Sequence, residues 1–145
     1  MPLHPTLAPA WLQPQWPAPA GVRALCTTRN GGFSTAPYAS LNLATHVADD
    51  PGHVARNRAL VQQTIGVRPV FLNQVHGTQV LRLDAATPDG VSADGACTAS
   101  KGLACAIMVA DCLPVLLCDR RARQVAAVHA GWRGLAGVAG LGVLE

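Results

Sequence analysis

The chain has 145 residues, half of them apolar and 13% charged, which suits one domain with a real hydrophobic core and excludes a disordered segment. Its formal net charge is +3, and the basic residues are mostly scattered, so the dense basic stripe of a nucleic-acid-binding protein is absent from the sequence. Small anions such as phosphate suit this charge better than polynucleotides do.

Targeting signals are not evident in the sequence. No apolar run approaches the roughly 18 residues that cross a bilayer, and the N-terminus lacks the basic and apolar regions of a secretory signal. The five cysteines are odd in number and lack CxxC spacing. We therefore expect a cytoplasmic protein with reduced thiols and no membrane partner. The sequence does not indicate an oligomeric state.

The first twenty residues are rich in proline, which excludes regular helix and favours an extended arm. We expect this arm to lie along the surface with Trp11 and Trp16 buried. Residues 22–28 are a short strand candidate, and the Asn-Gly pair that follows is typical of a tight turn. A turn does not explain Arg29, whose planar guanidinium suits phosphate or carboxylate.

Regular elements are predicted along the rest of the chain. Residues 40–50 are expected to form a loop, and residues 54–65 a helix that Gly66 ends. Residues 85–94 are polar and predict a second loop. The segment 134–145 has apolar residues at helical spacing and no stop signal, which predicts the opening of a longer helix. Apolar runs predict five strands, at 69–74, 79–83, 103–110, 114–118 and 125–128.

Reactive side chains follow several of these strands. His76 comes after the first, the pair Asp111 and Cys112 separates the third and fourth, and His129 ends the fifth. Such side chains at strand ends are typical of a site built on a rigid sheet. Each also has a structural explanation, since cysteine is often a small buried hydrophobe and a strand-end histidine is often simply hydrogen-bonded.

Six phrases in a fixed order carry a resemblance to a known family: TRNGGFS (28–34), LNL (41–43), NQVHG (73–77), ADG (93–95), ADCLP (110–114) and VHAGWRG (128–134). With them the sequence resembles the YfiH family of purine nucleoside phosphorylases, formerly described as polyphenol oxidases or laccase-domain proteins. The resemblance extends from about Gly21 onward. Proteins of that family are longer, so we expect an arm at 1–20 and a single YfiH-like catalytic domain at 21–145 whose C-terminal part is missing.

The resemblance implies an α/β fold in which mixed β-sheets are sandwiched between helices, in α/β/β/α layers. It also implies that His76, Cys112 and His129 are metal ligands. The chemistry of the residues agrees, because two imidazoles and a thiolate suit Zn²⁺, and three protein ligands leave a fourth position open, as in catalytic sites.

The activity implied by the resemblance is phosphorolysis of purine nucleosides, namely adenosine, inosine and also methylthioadenosine, with adenosine deamination as a further activity. Zinc would orient phosphate, and Arg29 and Arg133 would neutralise its charge. Asp94 and Asp111 are candidates for stabilising the sugar and the departing base, although Asp111 could instead hold a ligand histidine. The remaining candidates, Asn42 and His46, are expected to contact ribose.

Three alternatives remain open from the sequence. The same His₂Cys set binds copper in electron-transfer proteins, which would make the chain a polyphenol oxidase of laccase type. Cys112 could be a nucleophile with a histidine as its base, in a hydrolase or deamidase. The chain could also be an inactive domain that only binds its ligand.

Overall fold

The computed structural model describes residues 11–145, so half of the predicted arm, residues 1–10, lies outside the described residues. The contacts of the chain divide it into two compact units. The first unit includes residues 11–16 and 23–67, and the second comprises Pro17–Val22 and Arg68–Glu145. Trp11 and Trp16 are both half-buried rather than fully buried.

The first unit contains helix α1, Pro51–Ile65. Asp50 caps its start, because the Asp50 carboxylate accepts the backbone N–H of His53 at 2.9 Å. Gly66 ends it with a left-handed φ of 74°, as predicted. The helix begins three residues earlier than expected, since Pro51 is tolerated in a first helical turn, where its missing N–H is not needed.

A buried asparagine of α1 holds the loop of residues 33–42 against the helix. The Asn57 side chain is fully buried, and its amide donates to Ser34 Oγ and to the carbonyls of Ser40 and Asn42. Its Oδ1 accepts the backbone N–H of Phe33 at 2.8 Å. All four contacts go to the loop, so this residue fixes the loop's path.

The strand predicted at 22–28 is wrong. Within it, Cys26 pairs with Leu12 in an isolated antiparallel bridge, and residues 22–28 form no regular strand. An apolar run gives extended backbone, but a strand also needs a partner along its whole length.

The second unit contains six strands: β1 Arg68–Phe71, β2 Val80–Arg82, β3 Gly95–Thr98, β4 Leu103–Ala106, β5 Leu113–Cys118 and β6 Val125–Ala130. All five predicted strands are present. β1, β2 and β4 are shorter than expected, and β5 and β6 are longer. Strand β3 was not predicted, because its small side chains carry little hydrophobic signal.

These strands form two sheets. β1 pairs with β4 in parallel, and the four-stranded sheet has the order β2-β3-β6-β5. In the larger sheet β2 runs parallel to β3, while β6 is antiparallel to both β3 and β5. The predicted α/β class with mixed sheets is confirmed. The core of this unit includes a buried cluster of Val70, Leu72, Leu83, Ala93 and Ala96.

The C-terminal segment differs from the prediction. Helix α2, Trp132–Ala136, is only five residues long and ends at Gly137, whose φ of 68° departs from helical backbone. Val138 and Leu141 then pair with each other, so the helix expected through Glu145 is wrong beyond Ala136. Trp132, Val138 and Leu141 are exposed. Among residues 11–145, no helix combines the length and the apolar character needed to cross a bilayer.

Candidate metal centre

Three side chains from distant parts of the sequence meet at one edge of the second unit. The ligand atoms of His76, Cys112 and His129 all lie within 4.8 Å of one another. His76 follows β1, Cys112 directly precedes β5, and His129 is the penultimate residue of β6. His76 is exposed, Cys112 is half-buried and His129 is buried, so the group faces solvent on one side.

His129 is held in one orientation by Asp94. Its backbone N–H donates to the Asp94 carbonyl at 2.7 Å, and its Nδ1 lies 2.8 Å from Asp94 Oδ1. A carboxylate beside Nδ1 favours the tautomer with the proton on that nitrogen, which leaves Nε2 as the lone-pair donor. His129 therefore has the arrangement typical of a metal-bound histidine.

The Asp94 carboxylate is fully buried and has several partners besides His129. It accepts the consecutive backbone N–H groups of Val75, His76 and Gly77 at 2.7–3.1 Å. Burial raises the pKa of Asp94, but the bonds from His129 and from these backbone groups outweigh it, so the pKa lies below its ordinary value. One carboxylate thus holds both histidines.

His76 has an unusual backbone, with a φ of 59°. This left-handed region is uncommon for residues other than glycine, although histidine is among those that enter it more readily. The Asp94 carboxylate binds the N–H of His76 and of both its neighbours, which compensates for the strain. The two imidazole rings meet edge to face, with centroids 4.7 Å apart.

Cys112 completes the group. Its Sγ lies 3.9 Å from His76 Nε2 and 3.6 Å from Asp111 Oδ1. Burial and the neighbouring carboxylates of Asp111 and Asp94 raise the pKa of the Cys112 thiol. A cation bound beside the sulfur would favour the thiolate instead, because it offsets both effects.

The donor set fits zinc. In a tetrahedral site with bonds of about 2.0–2.3 Å, ligand atoms lie roughly 3.5 Å apart, so the present spacing needs only a small contraction. Two imidazole nitrogens and one sulfur are ligands that zinc prefers, and Asp94 supplies the outer hydrogen bond that zinc-bound histidines usually have.

Glycine at position 131 makes room for this group. A Cβ on Gly131 would lie 3.1 Å from Cys112 Sγ and 3.2 Å from His76 Cδ2. Gly131 belongs to the VHAGWRG phrase, two residues after His129, and the phrase alone gives no reason for a glycine there. The structure supplies a reason, since a side chain at this position would crowd two of the three ligands.

The other predicted site residues are placed as follows. Asp111 is exposed beside Cys112, and Asp94, not Asp111, holds the ligand histidine. Arg133 is exposed, with its guanidinium 5.1 Å from the centre of the exposed Trp132 ring. Three further candidates, Arg29, Asn42 and His46, belong to the first unit.

Two of these first-unit residues have described contacts. The Nε of Arg29 donates to the Ala39 carbonyl at 2.9 Å, which engages one of its five N–H bonds. The Asn42 amide bonds to Asp49 and to the backbone of Ala44, so its side chain shapes the loop. His46 is exposed in the same loop.

The chain is similar in sequence to known proteins. The family model described as multi-copper polyphenol oxidoreductase laccase matches residues 23–144. The chain is 54% identical over 94% of its length to the purine nucleoside phosphorylase of Pseudomonas aeruginosa, and 48% identical over 91% to the purine nucleoside phosphorylase YfiH of Escherichia coli. The chain belongs to the YfiH family.

Solved structures of the YfiH family share the fold. A Neisseria meningitidis protein of the DUF152 family is 52% identical, with a TM-score of 0.79 over 88% of this chain and 52% of that one. YlmD from Geobacillus stearothermophilus is 33% identical, with a TM-score of 0.83 over 93% of this chain and 54% of that one. The chain also covers 54% of each of the two phosphorylases, so it spans about half the length of the curated relatives it matches.

Replacing Cys112 by serine is expected to remove most of the bound metal. We expect the purified protein to carry about one zinc per chain, and a three-ligand site that loses its only thiolate to lose at least about tenfold in affinity. Elemental analysis after dialysis measures this. Cys118→Ser is the matched control, because Cys118 is a free, half-buried cysteine at the opposite end of β5. Equal zinc in both variants would contradict the assignment.

Proposed function

We propose that this protein is a zinc-dependent purine nucleoside phosphorylase acting on adenosine, inosine and methylthioadenosine, with adenosine deamination as a further activity. The observation that carries the proposal is the convergence of His76, Cys112 and His129 on one open site. The phosphorylase names of the relatives give the reaction class.

In this proposal the three ligands hold a zinc ion, which would supply a Lewis acid for an anionic nucleophile such as phosphate. The Asp94 carboxylate beside Nδ1 of His129 favours the tautomer whose other nitrogen, Nε2, is available to the ion. The same carboxylate fixes the backbone of His76. Asp94 has all these bonds and no exposure, so its role is to position the histidines rather than to exchange protons with the substrate.

Asp111 is the carboxylate available to the substrate. It is exposed and lies beside the Cys112 sulfur. During phosphorolysis the bond between the sugar and the base lengthens, and positive charge develops on the sugar. A carboxylate at this position stabilises that charge, or in deamination accepts a proton from the attacking water.

The remaining candidates bind the substrates. Arg29 and Arg133 are proposed to bind phosphate, because a guanidinium forms paired bonds to its oxygens. His46 is proposed to contact ribose. The Asn42 amide is already engaged with Asp49 and Ala44, so we propose that it shapes the loop that carries His46.

Two alternative chemistries use the same residues. Copper would also suit two imidazoles and a thiolate, but a laccase needs several coppers, and the described residues bring together one group of three such ligands. A nucleophilic Cys112 would need an accessible thiolate beside a base. Burial and the charges of the Asp111 and Asp94 carboxylates instead raise the pKa of the Cys112 thiol, which disfavours the thiolate.

Phosphate dependence tests the reaction class. Inosine is expected to give hypoxanthine and ribose 1-phosphate only when phosphate is present. Arg29→Ala is expected to raise the phosphate concentration needed for half-maximal rate about 10- to 100-fold, since a charge-assisted hydrogen bond is worth about 1.5–3 kcal/mol. Arg29→Lys should restore little, because a point charge cannot form the paired bonds. Chromatography of the products and initial rates provide the measurements.

Arg121→Ala is the control for that experiment, because Arg121 is exposed in the β5–β6 turn. It is expected to leave the phosphate requirement unchanged. Free ribose formed without phosphate would instead indicate a hydrolase, and oxidation of phenols after copper loading would support the polyphenol oxidase alternative. A protein that turns over no purine nucleoside would contradict the proposed function.

The location belongs to the same proposal. All five cysteines are free thiols, which suits a reducing compartment. We therefore place the protein in the cytoplasm, with purine nucleosides and phosphate as its small-molecule partners.

A further inference from the structure

Gln74 joins two segments that lead to the metal centre. Its Nε2 donates to the Met108 carbonyl at 2.7 Å, and its Oε1 accepts the Met108 N–H at 2.8 Å. The amide N–H and the amide oxygen of Gln74 therefore both bind the backbone of one residue, which lies 34 positions further along the chain. Gln74 is half-buried, so these bonds are partly protected from competition with water.

This contact lies just beyond the end of a strand pair. The parallel ladder of β1 and β4 ends with Phe71 opposite Ala106. Gln74 follows three residues after the end of β1, and Met108 two residues after the end of β4. A primary amide carries the same donor and acceptor as a peptide group. The Gln74 side chain thus adds one more rung to a ladder that the backbone has already ended.

The two segments joined in this way carry metal ligands. His76 follows Gln74 by two residues, and the irregular segment 107–112, which contains Met108, ends with Asp111 and Cys112. We propose that Gln74 is a positioning residue for the metal centre, which fixes the segment bearing Asp111 and Cys112 against the segment bearing His76. The inference rests on the proposed metal site.

The pairing of β5 with β6 could also fix the position of Cys112. Cys112 directly precedes β5, and Leu113 and Pro114 pair with Ala130 and His129 of β6. If this pairing alone placed Cys112, the Gln74 amide would contribute only stability. An experiment must therefore separate loss of stability from loss of ligand geometry.

Gln74→Met makes the separation, because methionine has a similar length but cannot replace either hydrogen bond. We expect its zinc affinity, measured by competition with a chelator, to fall about tenfold or more, as when other supports of a metal ligand are removed. We also expect the visible spectrum of the cobalt-loaded protein to change in its thiolate-to-metal absorption, since the sulfur moves relative to the two imidazoles.

Thr98→Val is the matched control. The Thr98 hydroxyl also makes two hydrogen bonds to backbone, donating to the Leu83 carbonyl and accepting the N–H of Ser100. Thr98 is buried and is the last residue of β3, whereas Asp94 precedes the first residue of that strand. This variant should lose stability while keeping the zinc affinity and cobalt spectrum of the wild type. Gln74→Glu keeps the size and the acceptor oxygen, and it serves as the second variant if Gln74→Met does not fold; it too should bind zinc more weakly.

The outcomes are distinguishable. If the wild type binds zinc and cobalt, and the Gln74 variants match it in affinity and spectrum, the inference is overturned and the proposed function stands. An equal loss in Thr98→Val would overturn it as well, because the effect would follow general stability. A wild-type protein that binds neither metal would overturn the metal centre and, with it, this inference.

Discussion

Replacing Asp94 by asparagine is expected to lower the free energy of unfolding by about 3–5 kcal/mol, the range for breaking a buried charged network by changing one partner. The carboxylate accepts three consecutive backbone N–H groups and lies 2.8 Å from the ring Nδ1 of His129. An amide of the same shape would turn an NH₂ group toward at least one of these donors. Urea unfolding of the metal-free protein measures the loss.

The same substitution should also weaken zinc binding, because both histidines depend on this carboxylate; losses of about 10–100-fold are usual when such partners are removed. Asp84→Asn is the control. Asp84 is exposed and accepts the Ala86 N–H and the Thr87 hydroxyl in a turn of the same unit. We expect Asp84→Asn to change the free energy of unfolding by no more than about 1 kcal/mol and to leave zinc affinity unaltered. An Asp94→Asn protein as stable and as zinc-binding as the control would refute the role assigned to this network.

Gly131→Ala is expected to reduce zinc affinity by about 10- to 100-fold, the range seen when ligand geometry is disturbed, while the fold remains. The backbone of Gly131 has φ −73° and ψ 162°, which alanine adopts without strain. The effect therefore comes from the added methyl group, which would press on both Cys112 Sγ and His76 Cδ2. Chelator competition and the cobalt spectrum report the ligand shift, and circular dichroism reports the fold.

Gly102→Ala is the matched control for that change. A Cβ on Gly102 would meet no atom within 4 Å, and the residue lies in the turn before β4. We expect the alanine there to leave zinc affinity unchanged. If Gly131→Ala also bound zinc normally, the two ligands would have more freedom than their packing indicates.

Much of the fold could be predicted from local signals. Helix α1 had apolar residues on one face and a glycine at its end, and the apolar strands were recognisable from their valines and leucines. Strand β3 was not, because Gly95-Ala96-Cys97-Thr98 has small side chains and no alternation. β3 forms a strand because neighbouring strands pair with it. A Cβ on Gly95 would lie 2.9 Å from Val80 Cγ2, so the small residue permits the close approach of β2.

The metal ligands came from the resemblance rather than from spacing, since no local motif joins residues so far apart. What the sequence could not indicate was how Asp94 acts. Its partners are mostly backbone N–H groups, which every residue except proline possesses, so nothing in the side-chain pattern distinguishes it from Asp111. The same limit applies to Gln74, whose two bonds go to the backbone of Met108.

The left-handed backbone at His76 restricts which ligands could replace it during evolution or design. A substitute must supply a metal donor and also adopt a φ near 59°. Asparagine and aspartate tolerate that backbone, but their oxygens suit zinc less well beside a thiolate. Cysteine is a good zinc ligand, but it would pay a conformational penalty of about 1–3 kcal/mol for a residue held in this region. Backbone conformation and metal preference therefore exclude different residues, and together they leave few substitutes for histidine at this position.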